Sequence, residues 1–341
     1  MTEHKPSMRD IARAVGTSAV TVSKALAGKS GMSGALREKI LKAAEEMGYV
    51  YGREGIPGKP HLDIGILVPE RYFEADSFYS EMYRQLIRRL TEKGHFGLLE
   101  ILGAGNEKAL TPPNLVSSER ADGMIILGEP VKAYYRMLAQ TGVPTVFLDF
   151  YDERGNTDAV VGDNTYGAYR LTSHLIHNGH KKIGFVGNRL ATASIMDRYL
   201  GYYRAMLTHE LEIREDWILP DRGLTGGLVL TDLPEEMPTA FVCNCDLTAR
   251  MVVEQLQKAG YRVPEDVSVT GFDDYPPDNG TKPGLSTFRI DTEGMVSLAV
   301  KAVTERCGGS NRPFGRMVVG GQPVYRESEI PYREFQIQGN E

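Results

Sequence analysis

Residues 18–26 read Ser18-Ala19-Val20-Thr21-Val22-Ser23-Lys24-Ala25-Leu26, and this stretch with its flanks decides the architecture of the first fifty residues. Ser18 is suited to cap a helix, because its hydroxyl can accept an orphan amide of the first turn. Val22, Ala25 and Leu26 then fall on one face and are expected to point inward, while Ala19 and Val20 point outward at the helix start. Upstream, Ser7-Met8-Arg9-Asp10 reads as a capping box, and Met8, Ile11, Ala12 and Val15 recur at helical spacing. Gly16 supplies the left-handed residue that ends that helix. Downstream, Ser33 caps a third run with Leu36, Ile40, Leu41, Ala44 and Met47 as its apolar stripe, and Gly48 stops it. Two helices joined by a tight Gly-containing turn and backed by a third make a helix-turn-helix unit. The second helix of such a unit enters the major groove with its N-terminal residues on base edges. Thr21 and Ser23 are short hydroxyls for phosphate oxygens and Lys24 is a cation at the groove. Ala19 and Val20 offer only apolar contact, as to a thymine methyl. With the cap residues Ser7, Ser18 and Ser33 they make up the expected DNA-facing set.

Charge supports this division. The 341 residues carry a net charge of −6, which by itself argues against a nucleic-acid partner, but the distribution is uneven. Residues 1–60 hold ten Lys/Arg against six Asp/Glu, and the remainder 29 against 39. A basic head on an acidic body suits a DNA-binding module joined to a part that avoids DNA. The three cysteines, Cys243, Cys245 and Cys307, form no even framework and imply a reducing compartment. No signal-peptide core and no run of 18 apolar residues is present, so a cytoplasmic chain with no membrane partner is expected.

Residues 50–61 form a linker with three Gly and two Pro, a composition in which a stable helix is not expected. From Leu62 strands and helices alternate. Strands are expected at 64–68, 98–102, 124–127, 145–148, 159–162, 183–186, 240–243 and 267–271. Helices are expected at 78–93, 131–140, 166–177, 198–210, 247–259 and 293–306. Such alternation predicts doubly wound parallel sheets, whose ligands bind beyond the carboxyl ends of the strands. The polar residues there are Asp149, Asp163-Asn164, residues 188–198, Cys245-Asp246 and Asp273-Asp274, with Tyr72, Phe73, Phe78, Tyr79 and Phe272 nearby. Carboxylates, an Arg fork and aromatic faces together describe a pocket for a polyhydroxylated ligand.

Specific motifs now accumulate: Met8-Arg9-Asp10-Ile11-Ala12, Gly16-Thr17-Ser18, Thr21-Val22-Ser23-Lys24-Ala25-Leu26, Arg37 and Gly48-Tyr49 in the head. In the body stand Ile64-Gly65-Ile66-Leu67-Val68-Pro69, Asp163-Asn164, Gly167-Ala168, His174-Leu175-Ile176, Gly179-His180-Lys181-Lys182-Ile183-Gly184, Arg198-Tyr199-Leu200-Gly201-Tyr202 and Val267-Ser268-Val269-Thr270-Gly271-Phe272-Asp273-Asp274. The chain resembles the LacI/GalR family of transcriptional regulators over nearly its whole length. The resemblance implies an all-α helix-turn-helix head at 1–50, a linker at 51–61 and an α/β effector-binding and dimerisation domain at 62–341. That domain would hold two doubly wound parallel-sheet subdomains like those of periplasmic sugar-binding proteins, about 62–160 with 291–320, and 161–290 with 321–341. It implies a homodimer on palindromic double-stranded operator DNA, controlled by a sugar or sugar derivative. The effector contacts it implies are Phe78, Tyr79, Asp149, Ser194, Arg198 and Asp273, with Arg222 where an aromatic often lines the cleft, and Asp246. Two departures stand out. Cys245 replaces an amide side chain, and the linker lacks the family's A-R-x-L hinge motif, so a hinge helix wedging the minor groove is not expected here.

Other chemistries are not signalled. His174, His177 and His180 are spaced three apart, but Gly179 breaks the helix before His180, so no metal site is expected. Cys243 and Cys245 alternate at a strand end, and Gly28-Lys29-Ser30 lacks the rest of a phosphate loop. No nucleophile-and-base set marks an enzyme, and no cofactor is expected. The competing reading is a cytoplasmic sugar-sensing protein whose head binds DNA weakly because the hinge motif is missing.

Overall fold

The computed structural model describes residues 8–26, 32–47, 61–73, 77–223, 227–229, 232–276 and 282–332. The chain divides into two compact units, Met1–His61 and Leu62–Glu341.

The head unit holds α1 (Met8–Val15), α2 (Ala19–Leu26) and α3 (Gly34–Glu46). Ile11, Ala12, Val22, Ala25, Ile40 and Ala44 form its core. Ser18 caps α2 by accepting from the Thr21 amide at 3.1 Å, and Ser33 caps α3 by accepting from the Leu36 amide. Gly16 ends α1 at φ +74. Three expectations fail. Ala19 does not point outward: it is half-buried and packs on the head core, because a small side chain in the first turn of α2 can lie against α1 and α3. Leu41 and Met47 were placed in the apolar stripe of α3, yet both are exposed. With Ile40 and Ala44 four residues apart defining the buried line, Leu41 falls beside it. Ser7, Gly48, the linker to residue 60 and the side chains of Val20, Ser23 and Lys24 lie outside the described residues.

The second unit contains β1 (Asp63–Pro69), α4 (Phe78–Glu92), β2 (Phe96–Leu102), α5 (Ala104–Ala109), α6 (Asn114–Ser117), β3 (Gly123–Leu127), α7 (Lys132–Leu138), β4 (Thr145–Leu148) and β5 (Asp158–Gly162). There follow α8 (Asn164–His177), β6 (Ile183–Val186), α9 (Ala193–Thr208), β7 (Ile218–Leu219), β8 (Ala240–Cys243), α10 (Asp246–Lys258), β9 (Ser268–Thr270), β10 (Thr287–Ile290), α11 (Thr292–Cys307), β11 (Arg316–Val319) and β12 (Gly321–Val324). One parallel sheet has the order β11-β5-β4-β3-β1-β2 and a second β7-β6-β8-β9, while β10 and β12 pair antiparallel as the chain passes between them. These are the two doubly wound lobes that the alternation predicted. β3 and β5 are buried at every position, as expected of strands covered on both faces.

Helix α11 packs Met295, Val296, Ala299, Val300, Ala302 and Val303 into the core of the first lobe with Ile64, Ile66, Val68 and Leu86. In the second lobe α8 and α9 approach so closely that a Cβ at Gly201 would stand 2.2 Å from the Thr165 carbonyl oxygen. The expected helix at 198–210 begins earlier, at Ala193, because Thr192 caps it by accepting from the Ile195 amide. Likewise Asp163 caps α8, which starts at Asn164 rather than 166.

Candidate functional site

Asp149 follows β4 and takes a left-handed backbone, φ +71, which an Asp tolerates better than most residues. Its side chain is therefore turned back over the strand end. Tyr79 Oη donates to its Oδ2 at 2.7 Å, and among the described residues its buried Oδ1 has no hydrogen-bond partner. Burial pushes its carboxyl up to about 6, against the pull of Arg198 and the Tyr79 bond.

Arg198, on α9, is 5% exposed. Its Nε donates to Asn164 Oδ1 at 2.8 Å and its Nη1 to the Asn244 carbonyl oxygen. Its Nη2 lies 2.9 Å from Asp273 Oδ1, and the guanidinium covers the Phe272 ring at 4.1 Å. Asp273 is itself left-handed, φ +99, and burial raises its carboxyl above the usual range. Ser194 sits one turn before Arg198 on the same helix, its hydroxyl 3.1 Å from that of Thr192.

The aromatic wall is built from α4 and its approach. Tyr72 and Tyr79 rings are 5.1 Å apart, Phe78 meets Tyr79 edge-on at 5.5 Å, and Phe78 reaches Tyr275 of the other lobe at 6.0 Å. Phe78, Tyr79, Asp149, Arg198 and Asp273 are thus brought to one cleft between the lobes.

Arg222 reaches the edge of the cleft but is held by Asp221, and Asp246 is engaged by the fold. Arg222 folds onto Asp221 Oδ2 at 2.7 Å and its Nη2 stands 3.7 Å from Cys245 Sγ. Asp221 is fully buried; burial would raise its carboxyl, but Arg222, Thr248 and the Asn188 amide hold it below the usual range. Asp246 was expected to contact effector, yet both of its oxygens serve the fold. Thr287 Oγ1 donates to Oδ1 at 2.7 Å and the Tyr275 amide to Oδ2 at 2.8 Å, with the carboxyl pushed up to about 7 by burial. It tethers the β9 loop to β10. Cys245 does not leave a gap where an amide was missed: its Sγ accepts from the Thr248 amide and caps α10. The amide work falls to Asn244, whose Nδ2 donates to Asp221 and the Val186 carbonyl.

Three cleft residues escaped the sequence reading. Glu129 follows β3, and its Oε2 accepts from the Ala193 amide at 2.7 Å, reaching from the first lobe to the start of α9 in the second. Burial pushes its carboxyl up to about 7. Tyr151 Oη donates to Asp197 Oδ1 at 2.9 Å, also between the lobes. The strand-end rule that singled out Asp149 points equally to Gly128-Glu129 after β3. Gly128 is at φ +79 and packs against Tyr72, where a Cβ would sit 2.9 Å from the ring.

The histidines serve separate ends. His174 bonds Glu329 and Asn178, His180 lies between Thr239 and the Ile330 carbonyl, and the His177 ring meets that of His209. Among the described residues no three His, Cys, Asp or Glu are grouped to hold a metal, and no helix is long and apolar enough to cross a membrane.

Residues 7–51 match the lacI family of bacterial regulatory proteins, and residues 172–329 match the periplasmic binding protein-like domain. The chain belongs to the lacI family. As a member it is a DNA-binding regulator of transcription. This lacI-family chain is 26% identical over 310 residues to the HTH-type transcriptional repressor PurR of Aliivibrio salmonicida, covering 88% of this chain and 92% of that one. It is 26% identical over 332 residues to the ribose operon repressor of Haemophilus influenzae, covering 94% and 98%. Its fold is similar to that of the transcriptional regulator CelR in complex with cellobiose, with a TM-score of 0.68 at 23% identity over 95% of this chain and 99% of that one. It is similar also to the lac repressor dimer bound to operator and the anti-inducer ONPF, with a TM-score of 0.64 at 21% identity over the same shares.

Proposed function

We propose that this regulator is a cytoplasmic repressor, without catalytic activity, that binds a palindromic operator as a homodimer. Its affinity for the operator is set by a small effector, a sugar or sugar derivative, held in the cleft by Phe78, Tyr79, Asp149, Arg198 and Asp273, with Ser194 and Arg222 at its margin. The observation that carries the reading is the buried Asp149 Oδ1, which has no partner among the described residues and is set beside aromatic rings. A buried acceptor left unmade costs about 1–3 kcal/mol, and a hydroxyl-bearing ligand supplies the missing donor. On the DNA side, Ser18, Thr21, Ser23 and Lys24 at the start of α2 meet phosphates and bases. One such helix reads few base pairs, so two half-sites about one helical turn apart are required.

A gel shift on the DNA upstream of the chain's own gene, with hexoses, pentoses and purine bases added singly, tests the whole. A specific shift that one sugar alters, from a species that sediments as a dimer, is the expected result. Sugar binding without any DNA shift would favour the sensing protein with a weak head. A shift altered by a purine base and by no sugar would overturn the sugar assignment.

A further inference from the structure

The charges that line the cleft do not balance. Each guanidinium reaching it is held by a carboxylate of its own: Arg198 by Asp273 at 2.9 Å, Arg222 by Asp221 at 2.7 Å and Arg71 by Glu107 at 2.5 Å. The two carboxylates that follow β3 and β4 are left over. Asp149 is 3% exposed, with one oxygen bonded by Tyr79 and the other bare. Glu129 is half-buried and bonded by a single uncharged amide. Among the described residues neither makes an ion pair. They follow adjacent strands, β3 and β4, which pair in register through Leu127 and Leu148, so both carboxylates leave the same edge of the same sheet.

We propose that Glu129 and Asp149 select an effector carrying a protonated amine beside its hydroxyl groups, with the amine donating to Asp149 Oδ1 and facing Glu129. The inference rests on the reading of this cleft as the effector site. A neutral polyol could fill the bare acceptor but would leave two anions together in a confined space. An ammonium group fills the acceptor and cancels charge, and charge-assisted hydrogen bonds are roughly twice as strong as neutral ones. Without a cation, burial raises both carboxyls, to about 6 and about 7, so protons take the cation's place in part. The other charged groups near Asp149 are Arg198, Asp273 and Asp197, and those near Glu129 are Arg71 and Lys132. Of these cations Arg198 and Arg71 are already paired, and Lys132 is bonded to Glu153.

The test uses the full chain and calorimetry at pH 6.5 with three matched pairs: glucose and glucosamine, galactose and galactosamine, mannose and mannosamine, with glucuronate as the acidic control. In at least one pair the amino sugar should bind about tenfold tighter or more than its neutral partner. Its binding should release protons, seen as a heat that changes with the buffer's ionisation enthalpy, and the neutral sugar should release none. Glu129→Gln and Asp149→Asn should each remove most of the preference, whereas Glu92→Gln, at an exposed carboxylate at the far end of α4, should leave it unchanged. Neutral sugar or glucuronate binding as tightly as the amino sugar would overturn the amine inference and leave the sugar-effector reading standing. Failure of all seven probes to bind would overturn that reading, and this inference with it. The comparison within wild type needs no variant, so a substitution that fails to fold does not decide the outcome.

Discussion

Arg198→Ala should destabilise the second unit by about 4 kcal/mol. In wild type the guanidinium satisfies Asn164 Oδ1 and the Asn244 carbonyl oxygen, sits 2.9 Å from Asp273 and covers Phe272. Removal leaves a buried carboxylate without its cation, a change that costs about 3–5 kcal/mol. The lost hydrogen bonds overlap with that figure, so about 4 kcal/mol is a fair total, a large part of the roughly 5–15 kcal/mol by which domains are stable. The chain's single tryptophan makes the assay selective. Trp217 is 2% exposed in the second unit, its indole N–H bonded to the Glu236 carbonyl. Its fluorescence therefore follows the unfolding of that unit alone. With a urea slope of about 3 kcal/mol per molar, the midpoint should fall by about 1 M. Adding Asp273→Asn to Arg198→Ala should recover part of the loss, because the stranded charge is gone; coupling of about 0.5–3 kcal/mol is usual for contacting residues. A midpoint within about 0.3 M of wild type, roughly 1 kcal/mol at that slope, would refute the keystone role.

Four further outcomes are expected. Gly201→Ala forces α8 and α9 apart at the Thr165 carbonyl and should cost about 1–3 kcal/mol in the same fluorescence assay; an unchanged midpoint would mean that the helices can separate freely. Ser18→Ala removes the cap of α2 and should cost the head unit about 1 kcal/mol, read as earlier loss of operator binding on heating. Lys24→Ala should cost about 1–3 kcal/mol of operator affinity and relax preference at one position per half-site; equal weakening on every sequence would make Lys24 a phosphate contact only. The pH response follows from Asp246, Glu129 and Asp149, raised to about 7, 7 and 6 by burial. Carboxyls raised on folding contribute stability that is complete below about pH 4 and is lost as the pH rises through their folded values. The urea midpoint should therefore fall between pH 5 and pH 8, and Asp246→Asn should flatten that fall.

The alternation of strands and helices from residue 62 was legible because buried parallel strands such as Met124-Ile125-Ile126-Leu127 are continuous apolar runs. What escaped was short or broke a propensity rule. β7 has two residues, and β12 contains Pro323, which argues against a strand by sequence yet sits where β12 has, among the described residues, β10 alone as its partner. In the cleft, Phe78, Tyr79, Asp149, Arg198 and Asp273 were named and do converge. Asp246 was misjudged because sequence cannot show that Thr287 and Tyr275, distant along the chain, consume both oxygens. Ala19 was misjudged because one position on a short helix can face either a groove or a neighbour.

The order in which the chain is made gives the crossing strands β10–β12 a further meaning. The first lobe needs α11 to cover its sheet and β11 to complete it. The second needs Ser328, which bonds Val269 and Ser286, and Tyr332, whose amide bonds the Asn178 carbonyl. Neither lobe can therefore finish until the ribosome has reached about residue 332, whereas the head is complete by residue 61. At about 5–20 residues per second the intervening stretch takes roughly 15 to 55 s. During that interval a nascent chain carries a finished head and no finished lobe, and a transcript cut short before residue 292 would encode a head without the cleft that we propose holds the effector.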